Sequence, residues 1–152
     1  MSTVLENGNK PVVLLVEDNA ADQQIARRAL EKGLLHCELR VVSDGEEAMD
    51  YLLRRGLYSD PGIAPRPALI LLDLNMPRLD GRQVLSHVKG NPMLCTIPVV
   101  VFTTSCKEEE VNGSYRLGCN SFIRKPADVH NFLSVLMDLE RYWLNVVLLP
   151  SR

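Results

Sequence analysis

Apolar residues in this chain fall into short continuous runs separated by longer, periodically apolar stretches. The runs 11–16, 69–72 and 97–102 are rich in Val, Ile and Leu and are bounded by turn-forming or polar residues. Such runs read as buried strands. Residues 38–42 alternate polar and apolar, which suits a strand near a sheet edge, and 120–124 form a short fifth strand. Helical patterns lie between them. In the stretch 19–32, Asn19 serves as the cap and Asp22 supports the positive end; Ile25, Ala29 and Leu30 supply an apolar face, and Gly33 stops the helix. A second helix starts after Ser43 or Asp44, where Ser43-Asp44-Gly45-Glu46 fits the capping-box pattern. Its apolar side is Ala48, Met49, Tyr51, Leu52 and Leu53. A proline-bearing loop, 56–67, leads to the third strand, and a third helix over about 81–89 is broken by Gly90-Asn91-Pro92. Glu108, Glu109 and Glu110 suit the first turn of a fourth helix, which is poorly apolar and contains Gly113. A last, long helix is predicted over about 128–148.

The order βαβαβαβαβα implies an α/β protein with a parallel sheet and helices on both faces. Right-handed crossovers leave few topologies. Five strands favour a doubly wound sheet in the flavodoxin-like order 2-1-3-4-5. The expected organisation is a flexible N-terminus over 1–10 and one domain over 11–149 with an extended C-terminal helix; no output domain is expected after it.

Composition adds mainly exclusions. A chain of 152 residues, 46% hydrophobic and 24% charged, fits one ordinary globular domain. A net charge of −2 gives no electrostatic footprint for nucleic acid, and no basic run marks a membrane surface. The polar N-terminus lacks a signal-peptide core. The four cysteines form no C-x-x-C pair, so zinc and thioredoxin-like readings are poor and reduced thiols in the cytoplasm are expected. Cys37 and Cys119 are placed facing the interior.

The chemistry lies where the strands end. In the expected order, strands 1, 3, 4 and 5 are neighbours. Their carboxyl ends carry Glu17-Asp18, Asp73, Thr103-Thr104 and Lys125-Pro126. Taken singly, each group has a plainer reading: Asp18 a turn or cap, Asp73 a loop acid, Lys125 a solvated surface lysine. Ligands of open parallel sheets bind at this edge, however, and four strand ends here carry complementary groups. Carboxylates brought together repel and invite a hard cation; Mg²⁺ takes oxygen ligands and often bridges to phosphate. Asp73 is then a carboxylate nucleophile for phosphorus. Lys125 supplies a point charge and Thr103 a hydroxyl donor to phosphoryl oxygens.

Four segments carry a resemblance. Leu-Val-Glu-Asp-Asn (15–19), Leu-Leu-Asp-Leu-Asn-Met-Pro-Arg-Leu-Asp-Gly (71–81), Ile-Pro-Val-Val-Val-Phe-Thr (97–103) and Phe-Ile-Arg-Lys-Pro (122–126) together resemble the receiver domain of two-component response regulators over about 11–148. The resemblance implies that Asp73 is the phosphoacceptor. Asp18 and Asp73 would bind Mg²⁺ with the backbone carbonyl of Asn75, and Glu17 would act through water. Thr103 and Lys125 would hold the phosphoryl group, and Phe122 would match the aromatic switch position, a core aromatic being its other reading. It also implies a cis Lys125-Pro126 bond and a signalling protein rather than an enzyme in the ordinary sense. The donor would be a sensor histidine kinase. The loop 56–67 and the C-terminal Glu-Arg-Tyr-Trp-Leu-Asn-Val-Val-Leu-Leu-Pro (140–150) resemble a narrower group, single-domain regulators of cyanobacterial phytochromes, which implies a light-sensing kinase.

Three other readings compete with this one. Haloacid-dehalogenase phosphatases also use a strand-end aspartate, but carry an acid two residues later, where this chain has Asn75. A dinucleotide module would need a G-x-G-x-x-G after the first strand, which is missing. The strongest alternative is a phosphorylation-independent, receiver-like adaptor or dimerisation module. In the last helix, Val129, Phe132 or Leu133, Leu136, Trp143 and Val147 are expected to face the sheet. A second set, Val135, Leu139, Tyr142, Val146 and Leu149, is spaced 4, 3, 4, 3 and predicts a homodimer surface. The signal would leave through contacts with an unknown downstream protein.

Overall fold

The computed structural model describes residues 10–151; the N-terminal segment expected to be flexible lies outside them apart from its last residue. Five strands, β1 (Val12–Val16), β2 (Glu38–Val42), β3 (Leu69–Leu72), β4 (Val99–Thr103) and β5 (Ser121–Arg124), alternate with five helices. These are α1 (Ala20–Glu31), α2 (Gly45–Leu53), α3 (Gly81–Gly90), α4 (Glu108–Leu117) and α5 (Val129–Arg141). All strand pairings are parallel and the order is β2-β1-β3-β4-β5, as expected.

The period of two in the strands divides the apolar residues between two cores. Leu14, Val16, Ile70, Leu72, Val99 and Val101 face α2 and α3. Val13, Leu15, Leu69, Leu71, Val100 and Phe102 face α1 and α5. β1, β3 and β4 are buried along their whole length, which is why they read as continuous apolar runs. Cys37 and Cys119 are buried as predicted, and all four cysteines are free thiols.

Several local expectations are corrected. Of the two expected caps of α2, Asp44 serves. Asp44 Oδ1 accepts from the Glu47 N–H at 2.8 Å, and Glu47 Oε1 accepts from the Ser43 N–H at 2.6 Å. β4 begins at Val99 rather than Ile97, because the Ile97 N–H is spent on a turn to Leu94 and Pro98 has none to give. Leu53 is exposed, and α1 buries Gln23 and Ala26 with Ala29. The Lys125-Pro126 bond is trans, as are all peptide bonds among the described residues, in keeping with the modest trans preference of prolyl bonds.

The largest correction concerns the last helix. Regular α5 ends at Arg141, a π-helical turn spans Tyr142–Val146, and Val147 is extended. Two β-branched residues and Pro150 disfavour further helix. The wider turn breaks the register and drives Leu144 into the core. The second apolar stripe therefore does not form as predicted. Leu139 is a core residue, and Val135 and Leu149 are partly packed; only Tyr142 and Val146 stand clear in solvent. Val129, assigned to the sheet, is exposed.

The connection 56–67 is an ordered loop. The Tyr51 hydroxyl donates to the Pro65 carbonyl at 2.7 Å, Arg54 Nε to the Ala64 carbonyl at 3.2 Å, and the Tyr58 hydroxyl to Glu47 Oε2 at 3.0 Å.

Candidate phosphoryl site at the strand ends

The sheet delivers its polar residues to one edge because its strands run parallel with their ends in near alignment. Val16 is in register with Leu72, and Leu72 with Val101. The next residues, Glu17 and Asp73, emerge side by side, with Thr103 at the end of β4 and Lys125 just beyond β5. Glu17, Asp73, Thr103 and Lys125 are all buried, whereas Asp18 is exposed.

Asp73 is engaged on both oxygens. Thr103 Oγ1 donates to Oδ1 at 2.9 Å, and Lys125 Nζ to Oδ2 at 3.3 Å. The backbone N–H of the exposed Asn75 also points to Oδ1, at 3.3 Å. Glu17, Asp18 and Asp73 each offer a carboxylate oxygen within 4.8 Å of the others. An all-oxygen, anionic donor set with one exposed member fits a hard divalent cation that retains water.

Lys125 joins these groups. Its ammonium pairs directly with Glu17, and with Asp22 Oδ2 at 2.9 Å as well as Asp73. Burial alone would lower its pKa, but the bonds to Glu17 and Asp22 outweigh burial and hold it above the ordinary lysine range. Glu17 moves in the opposite sense for a carboxyl: burial pushes it up to about 7, against the lowering effect of Lys125 and of the Asn19 N–H. Gln23 Nε2 supports Glu17 from below by donating to its carbonyl at 2.5 Å.

The loop after Asp73 is held by glycines. A side chain at Gly81 would run into the Asp73 carbonyl, and one at Gly45 into the Leu79 carbonyl. Asp80 caps α3 through a reciprocal pair with Gln83, at 3.0 Å in each direction. Phe122 is half-buried against the α2–α3 core, in line with its reading as a core aromatic, and its N–H donates to the Tyr115 hydroxyl at 3.2 Å.

Asp18, Glu17, Asp73, Thr103 and Lys125 thus converge. Asp22 was missed: in the sequence it reads as a helix-dipole acid, and its contact with a lysine 103 residues away is invisible to local pattern. Its position in the first turn after two strand-end acids was the available signal.

Comparison with known proteins agrees with this geometry. Residues 13–137 match the family model described as the response regulator receiver domain. Over 147 residues the chain is 42% identical to response regulator Rcp1 of Synechocystis, covering 96% of this chain and 98% of that protein. The crystal structure of the Mn²⁺-bound form of Rcp1 superposes with a TM-score of 0.84, covering 93% of this chain and 99% of that one. That of the phosphorylated cyanobacterial phytochrome response regulator RcpA gives 0.86 at 43% identity, covering 94% and 99%. With Asp73 bracketed by a hydroxyl, an ammonium and two further acids at one sheet edge, the chain belongs to the response regulator receiver domains, signalling proteins that bind a divalent cation.

Proposed function

We propose that this protein accepts a phosphoryl group on Asp73 from a sensor histidine kinase, with Mg²⁺, and thereby switches a protein-interaction surface. The observation that carries the reading is the pair of donors on the two oxygens of Asp73, Thr103 Oγ1 and Lys125 Nζ, beside Glu17 and Asp18. In the transfer, an Asp73 oxygen forms a bond to phosphorus while the phosphohistidine P–N bond breaks and its electron pair stays on the imidazole. Asp18, Asp73 and the Asn75 carbonyl would hold the cation, with Glu17 acting through water. Bound there, Mg²⁺ neutralises charge on the phosphoryl group. Thr103 donates to one phosphoryl oxygen and Lys125 pairs with another. Movement of Thr103 and Phe122 toward the phosphoryl group reshapes the face made by α4, β5 and α5, a shift between two pre-existing arrangements. Asn75, standing where a phosphatase would carry an acid, favours storage of the phosphoryl group over rapid hydrolysis.

The kinase partner is proposed to be a bacterial phytochrome. The likeness to RcpA and the shared length with Rcp1 support that assignment. The setting is proposed to be the cytoplasm, where four free thiols stay reduced; no helix among the described residues is long and apolar enough to cross a membrane. The homodimer is retained as a proposal with a smaller footprint, centred on the exposed Tyr142 and Val146 beside the edge strand β5. The adaptor reading is not favoured, because every group that phosphoryl transfer requires converges on Asp73.

Incubation with acetyl phosphate and Mg²⁺, followed by intact mass, tests the function. One added phosphoryl group on the wild type and none on Asp73→Asn is expected. Equal behaviour of the two proteins overturns it.

A further inference from the structure

The ammonium of Lys125 has three hydrogens to donate, and three carboxylates take them. They belong to Glu17, Asp22 and Asp73, and the lysine side chain is only 4% exposed. A phosphoryl oxygen arriving on Asp73 therefore cannot gain a Lys125 hydrogen bond unless one partner leaves. The three partners are not equally free to do so. Asp73 is the acceptor itself. Glu17 is buried on both sides of its carboxylate, with Oε1 on Lys125 and Oε2 on the Asn19 N–H, so its release would strand a charge away from water. Asp22 alone reaches solvent, with 21% of its side chain exposed, and water can take it up when it lets go. It is also nearer to the ammonium than Asp73 is, at 2.9 Å against 3.3 Å.

We infer that Asp22 is a positioning residue that competes with the phosphoryl group for Lys125. In the unphosphorylated protein it holds the ammonium in place and shares its charge. On phosphorylation the phosphoryl oxygens displace it, and a carboxylate in the first turn of α1 is released to solvent. The phosphorylated state thus forms against a built-in competitor, and Asp22 sets how tightly the site retains an anionic phosphoryl group. This inference rests on the function proposed above and adds a determinant of its strength.

The competition has an unusual sign. Asp22→Asn keeps the size of the side chain and the helix start, because Asn19 Oδ1 accepts from the backbone N–H of residue 22 and not from its side chain. It removes the competing charge. Binding of beryllofluoride, a phosphoryl mimic, is measured by calorimetry at saturating Mg²⁺, and Mg²⁺ binding alone is measured separately. Asp22→Asn is expected to bind beryllofluoride at least about threefold more tightly than wild type, the scale of a partly exposed ion pair, while Mg²⁺ affinity stays level or falls. Asp22→Glu, which restores the charge, is expected to return toward wild type. Asp22→Ser serves for the same comparison if Asp22→Asn does not fold. Unchanged or weaker beryllofluoride binding in the neutral variant overturns the inference, as does a parallel loss of both affinities, the mark of a merely structural role. Wild type that binds no beryllofluoride at all overturns the proposed function instead.

Discussion

Glu17, Asp22 and Asp73 share a single ammonium and Asp18 adjoins them, so at the scale of residues the site carries an excess of negative charge. A divalent cation relieves it, and binding to the folded state alone raises stability by mass action. Mg²⁺ should therefore raise the thermal midpoint in a concentration-dependent way, and Asp18→Ala should abolish the rise; calorimetric scans at graded Mg²⁺ check this. The raised pKa of Glu17 gives the pH dependence a sign. A carboxyl held near 7 in the fold, against 4.5 as its ordinary value, binds its proton more tightly when folded. Its stabilising contribution is complete below about 4.5 and is lost as the pH rises through about 7. The metal-free midpoint should thus fall across this window, and Glu17→Gln should flatten that fall. Gly81 is the other sensitive position. A methyl group there must displace the Asp73 carbonyl, which should cost about 1–3 kcal/mol in urea denaturation.

Among the elements, α5 separates pattern from packing most sharply. Spacing alone places Leu139 in the same stripe as Tyr142 and Val146. The π-helical turn puts Leu139 and Leu144 inside and leaves the other two out. Truncating Leu144 to Ala should cost about 2–5 kcal/mol through lost burial and a cavity. Tyr142→Ala and Val146→Ser should change stability by about 0.5 kcal/mol or less, yet weaken the proposed dimer. Urea midpoints and equilibrium sedimentation separate the two effects; a wild-type monomer at high micromolar concentration, with and without phosphorylation, would remove the dimer. The start of α5 was legible because Asp128 is a local cap, accepting from the Asn131 N–H at 2.9 Å. Its end was not, because the register change depends on where Leu144 finds the core.

Across the whole molecule, the sheet order was legible for a physical reason. Strands covered on both faces must be apolar throughout, so β1, β3 and β4 stand out, and the polar residues that follow them mark the functional edge. The residues of the site could be named because each ends a strand. Their pairings could not, since Lys125 reaches Glu17 and Asp22 across more than a hundred residues of sequence. The cap of α2 was narrowed only to Ser43 or Asp44 for a related reason: both are competent capping residues, and it is Asp44 that accepts from the Glu47 N–H where Gly45 packs on Leu79.

The loop between α2 and β3 lies at the opposite end of the sheet from Asp73, and its ties to Tyr51, Arg54 and Tyr58 bear on how the protein meets a protease. Arg54 and Arg55 offer trypsin two scissile bonds at the start of this connection, whereas the bond after Arg66 runs into Pro67 and resists it. Cleavage requires a stretch of chain to leave the surface and enter the enzyme, and here that means detaching two tyrosine hydroxyls and a guanidinium from their partners. Nicking in this loop should therefore lag behind cutting at the exposed Arg78, and its onset in a timed digest should track loss of the fold as a whole.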